Sequence, residues 1–414
     1  MKCLGSVTAL IDTIYEGILE AKEILKGIVH RTPLDKSRTF SEMAGGEVFL
    51  KLENLQKTGS FKVRGAFYKI SKLSTEEKRR GVIAASAGNH AQGVAYAAKM
   101  AGVKCKIVMP IFAPLAKILA TKSYGAEVIL HGVNFDEAYA KAVEIAREEN
   151  LTFIHAFDDP YIIAGQGTIG LEILEDLPRP DIVVVPIGGG GLISGISIAL
   201  RKKLGRSVKI IGVQSEAYPG MFARVKGVRV KEKPLHTIAD GIAVKKPGEI
   251  TSKIVSELVN DIVIVNDDEI ARAIFLLLER AKTLAEGAGA TALAAIISGK
   301  IDARNKKVVA VVSGGNISMS TLMKIIGREQ MRLKRLIKLR GKLPDYPGSL
   351  RNVLSILSEA YINIVDITSE RYDPRILPFE AEVELVVEAP SEELIKKLLK
   401  KLREKGYEFS IEEA

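Results

Sequence analysis

Lys51-Leu52-Glu53-Asn54-Leu55-Gln56-Lys57-Thr58-Gly59-Ser60-Phe61-Lys62-Val63-Arg64-Gly65-Ala66 is the stretch from which the rest of the chain can be read. Val48-Phe49-Leu50, just before it, predicts a short strand running into Lys51. Thr58-Gly59-Ser60 predicts a turn, and the apolar periodicity from Phe61 to Ile70 predicts a helix with Ser60 as its N-cap. Lys62 then falls in the first helical turn, where the helix dipole repels an ammonium group. That field lowers the pKa of the amine and makes it a better nucleophile toward an aldehyde, as a Schiff-base site requires. One lysine alone would equally suit a solvated surface, so Lys62 has to be weighed with the segments that follow.

Short β-rich runs alternate with helical patterns through residues 1–330. The runs are Val82–Ala85, Lys106–Met109, Glu127–Leu130, Ile182–Pro186, Lys209–Val213 and Val308–Val312. This alternation predicts parallel sheets covered on both faces, two of them at this length, with ligands beyond the carboxyl ends of the strands. Three of those ends carry small residues: Ser86-Ala87-Gly88-Asn89-His90, Ile187-Gly188-Gly189-Gly190-Gly191-Leu192 and Ser313-Gly314-Gly315-Asn316. Four glycines between strand and helix leave several amides facing one concavity at a positive helix end, which is a phosphate cradle. The spacing does not fit a dinucleotide fingerprint, and no Gly-Lys-Ser/Thr follows as in a P-loop. His90 could serve as an acid or base, or simply fill a structural role.

Taken together these motifs resemble the four cofactor segments of the fold-type II pyridoxal-phosphate enzymes, and within that group the threonine dehydratases (threonine ammonia-lyases). The resemblance covers roughly residues 5–325. It implies two parallel-sheet domains of the tryptophan-synthase-β-like class over residues 1–325, the smaller, about 50–150, inserted in the larger. It implies that Lys62 carries pyridoxal 5'-phosphate as a Schiff base, with Phe61 beside the ring. Asn89 would bond the ring hydroxyl, Gly188, Gly189, Gly190, Gly191 and Leu192 would hold the phosphate, and Ser313 would face the pyridine nitrogen. Gly241 and the Glu286 loop would close the pocket, and Ser86, Ala87, Gly88, Asn89 and His90 would meet the carboxylate of an amino-acid substrate. The implied reaction takes L-threonine to 2-oxobutanoate and ammonia, and L-serine to pyruvate as a secondary activity. Relatives that racemise serine carry a serine where this chain has Ala87, which cannot transfer a proton. Those relatives also bind a divalent metal through a glutamate where Gln214 stands here, so no metal is expected. The rival readings are a serine racemase, another β-eliminating or β-replacing enzyme such as a cysteine synthase relative, and a non-catalytic amino-acid sensor.

Residues 331–414 change character. They hold fifteen Lys plus Arg and fifteen Asp plus Glu, so the net charge of +10 resides in residues 1–330. Strand Leu333–Leu339, a helix with the stripe Leu350, Val353, Leu354 and Leu357, strands Ile362–Ile367 and Ala381–Val387, helix Ser391–Lys405 and strand Tyr407–Ile411 predict a ferredoxin-like βαββαβ module. With Asp345-Tyr346-Pro347-Gly348-Ser349-Leu350 ahead of its first helix, this module resembles an ACT domain. It could bind an amino-acid effector such as isoleucine or valine, or it could serve only to build a dimer or tetramer. The basic residues are not interleaved with aromatics, which argues against nucleic acid. No apolar run reaches ~18 residues, so no membrane span is expected. Met1-Lys2-Cys3-Leu4 lacks a signal-peptide layout, and Cys3 and Cys105 are too few for a disulfide framework; both points suit the cytoplasm.

Overall fold

The computed structural model describes residues 6–230 and 236–412. The chain divides into two compact units, one ending at Ser318 and the other beginning at Met319. The helix Met319–Arg332 thus goes with the second unit, and the break precedes the expected one near residues 325–331.

Among the described residues the first unit contains ten strands. They are β1 (Leu34–Ser37), β2 (Glu47–Leu52), β3 (Val82–Ala85), β4 (Cys105–Met109), β5 (Glu127–Leu130), β6 (Thr152–Phe153), β7 (Ile182–Pro186), β8 (Lys209–Ser215), β9 (Asp261–Val265) and β10 (Lys307–Val312). Six form a sheet in the order β1-β2-β10-β7-β8-β9, parallel except where β1 meets β2. The other four form an all-parallel sheet, β5-β4-β3-β6, whose strands fall between β2 and β7 in sequence. Every residue of β3 and of β7 is buried, as continuous apolar runs in a two-sided parallel sheet must be. Because β10 lies between β2 and β7, the segments leaving these three strands emerge side by side. The turn at Thr58–Phe61, the Ser313 turn and the glycine loop are brought together in this way.

The helix Lys62–Ser71 is held by close approach and by buried charge. A Cβ on Gly165, in the helix Pro160–Asp176, would lie 2.5 Å from the Gly65 Cα, so the two backbones meet where neither residue has a side chain. Arg64, in the same turn as Lys62, is 1% exposed. Its guanidinium donates to both Glu53 oxygens (2.9 and 2.7 Å), to Glu172 (2.6 and 3.0 Å), to Thr168 Oγ1 and to the His30 carbonyl. Lys51, fully buried, donates to Glu172 and to the Thr32 carbonyl.

The second unit carries β11 (Leu336–Pro344), β12 (Ile364–Glu370), β13 (Glu380–Glu388) and β14 (Glu408–Ile411) in the antiparallel order β12-β13-β11-β14. With the helices Ser349–Glu359 and Glu392–Glu404 this is the ferredoxin-like arrangement of an ACT-like module. Three of its strands start later than the sequence suggested, β14 by one residue and β11 and β12 by more. Leu333 and Lys334 still bond back to Glu329 and Met331, and Lys334 takes a left-handed φ of 54° that ends the preceding helix. Tyr361, φ 54°, ends the helix Ser349–Glu359 in the same manner, and Ile362 bonds back to Leu357. Cys105 is a buried free thiol, whereas Cys3 lies outside the described residues. No described helix is long and apolar enough to cross a membrane.

Replacing Arg64 with methionine would leave Glu53 buried without its cation. Loss of one partner of a buried pair costs about 3–5 kcal/mol, and urea unfolding of Arg64→Met should show a loss of that size.

Candidate active site

A cleft of about 860 Å³ opens beyond the carboxyl ends of the strands of both sheets. Phe61, Lys62, Ser86 to His90, Gly188 to Leu192, Gly241 and Ser313 all line it. Residues as far apart in sequence as Phe61 and Ser313 therefore share one cavity.

Lys62 is the first residue of its helix. Its cap differs from expectation. Phe61, at φ −59° and ψ −17°, takes the N-cap position, and Ser60 Oγ is buried without a hydrogen-bond partner. Ser60 instead pairs its backbone with Gly314, and the Phe61 N–H donates to the Ser313 carbonyl. Lys62 Nζ donates to the Ala156 carbonyl at 3.0 Å and stands 5.1 Å from the centre of the Phe61 ring. Burial pushes the amine down to about 8, against the opposing influence of the Glu286 carboxylate. Desolvation is thus a second reason, beside the helix-end position read from sequence, for a lowered pKa at this lysine.

The glycine loop is shaped by what surrounds it. A Cβ on Gly189 would stand 2.3 Å from atoms of the Phe157 ring, and one on Gly190, at φ +96°, would meet Met221 and Thr251. Thr251 Oγ1 donates to the Gly189 carbonyl at 2.7 Å and fixes the turn. The helix Gly191–Leu204 follows directly and has no side-chain cap, so the amides of its first turn are available to an anion.

Glu286, at the N-cap of the helix Gly287–Ile297, accepts a hydrogen bond from Asn89 Nδ2. Burial pushes its carboxyl up to about 7, with the Asp240 charge acting in the same direction. His90 is buried with Nε2 2.9 Å from the Ile154 carbonyl, and burial drives its pKa down to about 3. It is therefore a neutral structural donor and not an acid or base of the site. Gln214 is buried too, its amide spent on Tyr218 and Phe222. Among the described residues, no group of three or more His, Cys, Asp or Glu is placed to hold a metal ion.

Sequence reasoning missed His155, Ala156 and Phe157, which wall the cleft beside Lys62 and the glycine loop. They follow β6, a strand of only two residues that gives little periodicity to read. The apolar run Leu151-Thr152-Phe153-Ile154 was the one signal that pointed to them. It also missed the ion pair between Lys117 and Asp240 at the cleft wall (2.9 Å).

A desolvated amine of low pKa and an uncapped helix end on a side-chain-free turn fit the aldehyde and the phosphate of one ligand. The sequence profile of the family described as pyridoxal-phosphate dependent enzyme matches residues 25–314. The chain belongs to this family. This pyridoxal-phosphate dependent enzyme is 50% identical to the L-threonine ammonia-lyase of Thermotoga maritima over 399 residues, 96% of this chain and 98% of that one. Among solved structures, the processed form of threonine deaminase isoform 2 from Solanum lycopersicum superposes with a TM-score of 0.72 at 37% identity, covering 78% of this chain and 88% of that one. Maize serine racemase follows at a TM-score of 0.71 and 33% identity, covering 77% and 98%.

In the cofactor-free form of this pyridoxal-phosphate dependent enzyme, acylation of Lys62 should rise with pH to a midpoint near 8, because only the uncharged amine reacts. Glu286→Gln removes the anion that favours the charged amine, so the midpoint should fall further. Mass-spectrometric footprinting across pH measures both. A midpoint at the ordinary lysine value would refute the buried environment.

Proposed function

We infer that this protein is a pyridoxal-phosphate-dependent L-threonine ammonia-lyase. The observation that carries the reading is the meeting of Lys62 with the uncapped glycine loop in one cleft, in a chain half identical to an L-threonine ammonia-lyase along nearly its whole length. Lys62, Phe61, Asn89, Gly188 to Leu192, Gly241 and Ser313 are the residues that would hold the cofactor. When bound, pyridoxal phosphate supplies an electron-withdrawing ring that acidifies the α-hydrogen of the substrate.

The chain's own groups do the rest. Lys62 Nζ, which burial leaves uncharged in about one molecule in ten at pH 7 and in most above about 8, takes the proton from the substrate Cα. The first-turn amides at Gly191 and the backbone of residues 86–90 bind anionic groups and orient the substrate. The β-hydroxyl leaves as water and one water returns on hydrolysis, so L-threonine becomes 2-oxobutanoate and ammonia. Ser313, a neutral hydroxyl 3% exposed at the cleft wall, would offer the pyridine nitrogen of the bound cofactor a hydrogen bond without the charge that would keep it protonated.

Similarity to a serine racemase makes racemisation the second reading, and Ala87 separates the two. Reprotonation on the face opposite Lys62 needs a donor, and a methyl group has no proton to give. The second unit is the candidate seat of regulation by a small amino acid and of assembly into a homo-oligomer. A buried free thiol at Cys105 suits a reducing cytoplasm.

Purified protein should convert L-threonine to 2-oxobutanoate, and L-serine more slowly to pyruvate with little D-serine, as chiral chromatography would show. Lys62→Ala should lower turnover by at least ~10²–10⁴, while Ala87→Ser should raise racemisation relative to elimination. D-serine outpacing pyruvate in the unmutated protein would overturn the lyase assignment. A chain ending at Ser318 should keep turnover and lose any response to isoleucine or valine. Coupling of this kind moves apparent affinity ~5–150-fold in the full chain, and an unchanged response in the shortened one would place the effector site elsewhere.

A further inference from the structure

Asn316 closes the turn that follows β10, and the scheme above gives it no part. The turn is stitched to the segment ahead of Lys62: Ser60 bridges Gly314, and the Gly315 N–H donates to the Gly59 carbonyl at 2.9 Å. Into this seam Asn316 sends its amide. Nδ2 donates to the Thr58 carbonyl at 2.9 Å and to Asn89 Oδ1 at 2.7 Å. A Cβ on Gly59, which sits at φ +70°, would come within 2.5 Å of Asn316 Oδ1, so glycine there lets the amide approach.

The direction of these bonds is forced. A backbone carbonyl can only accept, so Asn316 must turn its nitrogen toward Thr58. The same nitrogen meets Asn89, which must therefore present its oxygen. Asn89 is left with Nδ2 as its free end: one hydrogen goes to Glu286, and the other remains for an acceptor in the cleft that Asn89 lines. Orientation passes from one main-chain carbonyl through two amides into the binding site.

We propose that Asn316 is a positioning residue that fixes the Asn89 amide so that Asn89 offers the cleft a hydrogen-bond donor and never an acceptor. The group that meets Asn89 is then an oxygen acceptor. On the cofactor reading above, on which this inference rests, that group is the ring oxygen of pyridoxal phosphate.

The test is a double-mutant cycle read on cofactor affinity. Asn316→Asp keeps the shape and removes the donor, so Asn89 must flip or face a carboxylate. Titration of the cofactor-free protein with pyridoxal phosphate, followed by absorbance, should show binding weakened up to roughly tenfold, the worth of one neutral hydrogen bond. The visible band of the bound form should also move. In an Asn89→Ala background, the same Asn316→Asp change should alter affinity less than about twofold, because its effect runs through Asn89. Equal losses in both backgrounds would overturn the proposal and reduce Asn316 to a stitch between two turns. Thermal melts of the four cofactor-free proteins verify folding. Should the aspartate variant misfold, Asn316→Ser, too short to span both acceptors, completes the same cycle under the same criteria. Because the readout is binding, an unmutated protein that bound the cofactor without turning over threonine would sink the reaction assignment, and the cycle would still decide the role of Asn316.

Discussion

The Arg64 guanidinium, enclosed by Glu53, Glu172, Thr168 and the His30 carbonyl, is the contact on which the active site depends. Removing two cations and two carboxylates from water is expensive, and their attraction compensates only if donors and acceptors are matched. Here all the guanidinium N–H directions are used, and Lys51 completes Glu172 from β2. The cluster joins β2, the turn after it, the Lys62 helix and the helix Pro160–Asp176. Together with the bare contact between Gly65 and Gly165, it leaves the helix that carries Lys62 one place to lie. A hydrophobic plug of equal volume could fill the same space, but it would not specify the rotation of that helix about its axis. Directional charge-assisted bonds do.

With the helix placed, the electrostatics of the cleft follow from burial. Lys62 is pushed down to about 8 and Glu286 up to about 7, each shift due first to desolvation. Below this window the carboxyl holds its proton, and above it the amine has lost its own. Near neutral pH a minor fraction of this lysine is already uncharged, where its ordinary pKa would leave almost none. His90, closer to the usual image of an acid–base group, is disqualified by the same desolvation and by its bond to Ile154.

The second unit is stabilised on different terms. Its core is its own, built from Leu339, Val353, Leu385, Leu398 and Leu402. The outward ladder Lys338–Glu384 and Arg340–Glu382 is half exposed, and pairs of that kind contribute about 0–1 kcal/mol each. The stability of this module therefore rests on contacts within it.

Much of this was legible in the amino-acid order, because period and punctuation are local properties. Apolar runs such as Val82–Ala85 and Ile182–Pro186 are strands because both faces are buried, and they end where small residues begin. The same logic marked Asn89, the four glycines and Ser313, since a site beyond strand ends needs backbone access, and Lys62 was marked by its place in the first turn of a helix. Where strands begin in the second unit was less legible: the helices before them end in left-handed residues at Lys334 and Tyr361, and neither residue is a glycine that would announce the stop. The buried charge of Arg64, the pairing of Phe157 with Gly189, and the relay from Thr58 through Asn316 to Asn89 were decided only by tertiary structure. Each depends on which strands lie side by side, and the placement of β10 between β2 and β7 is a long-range fact that no window of sequence contains.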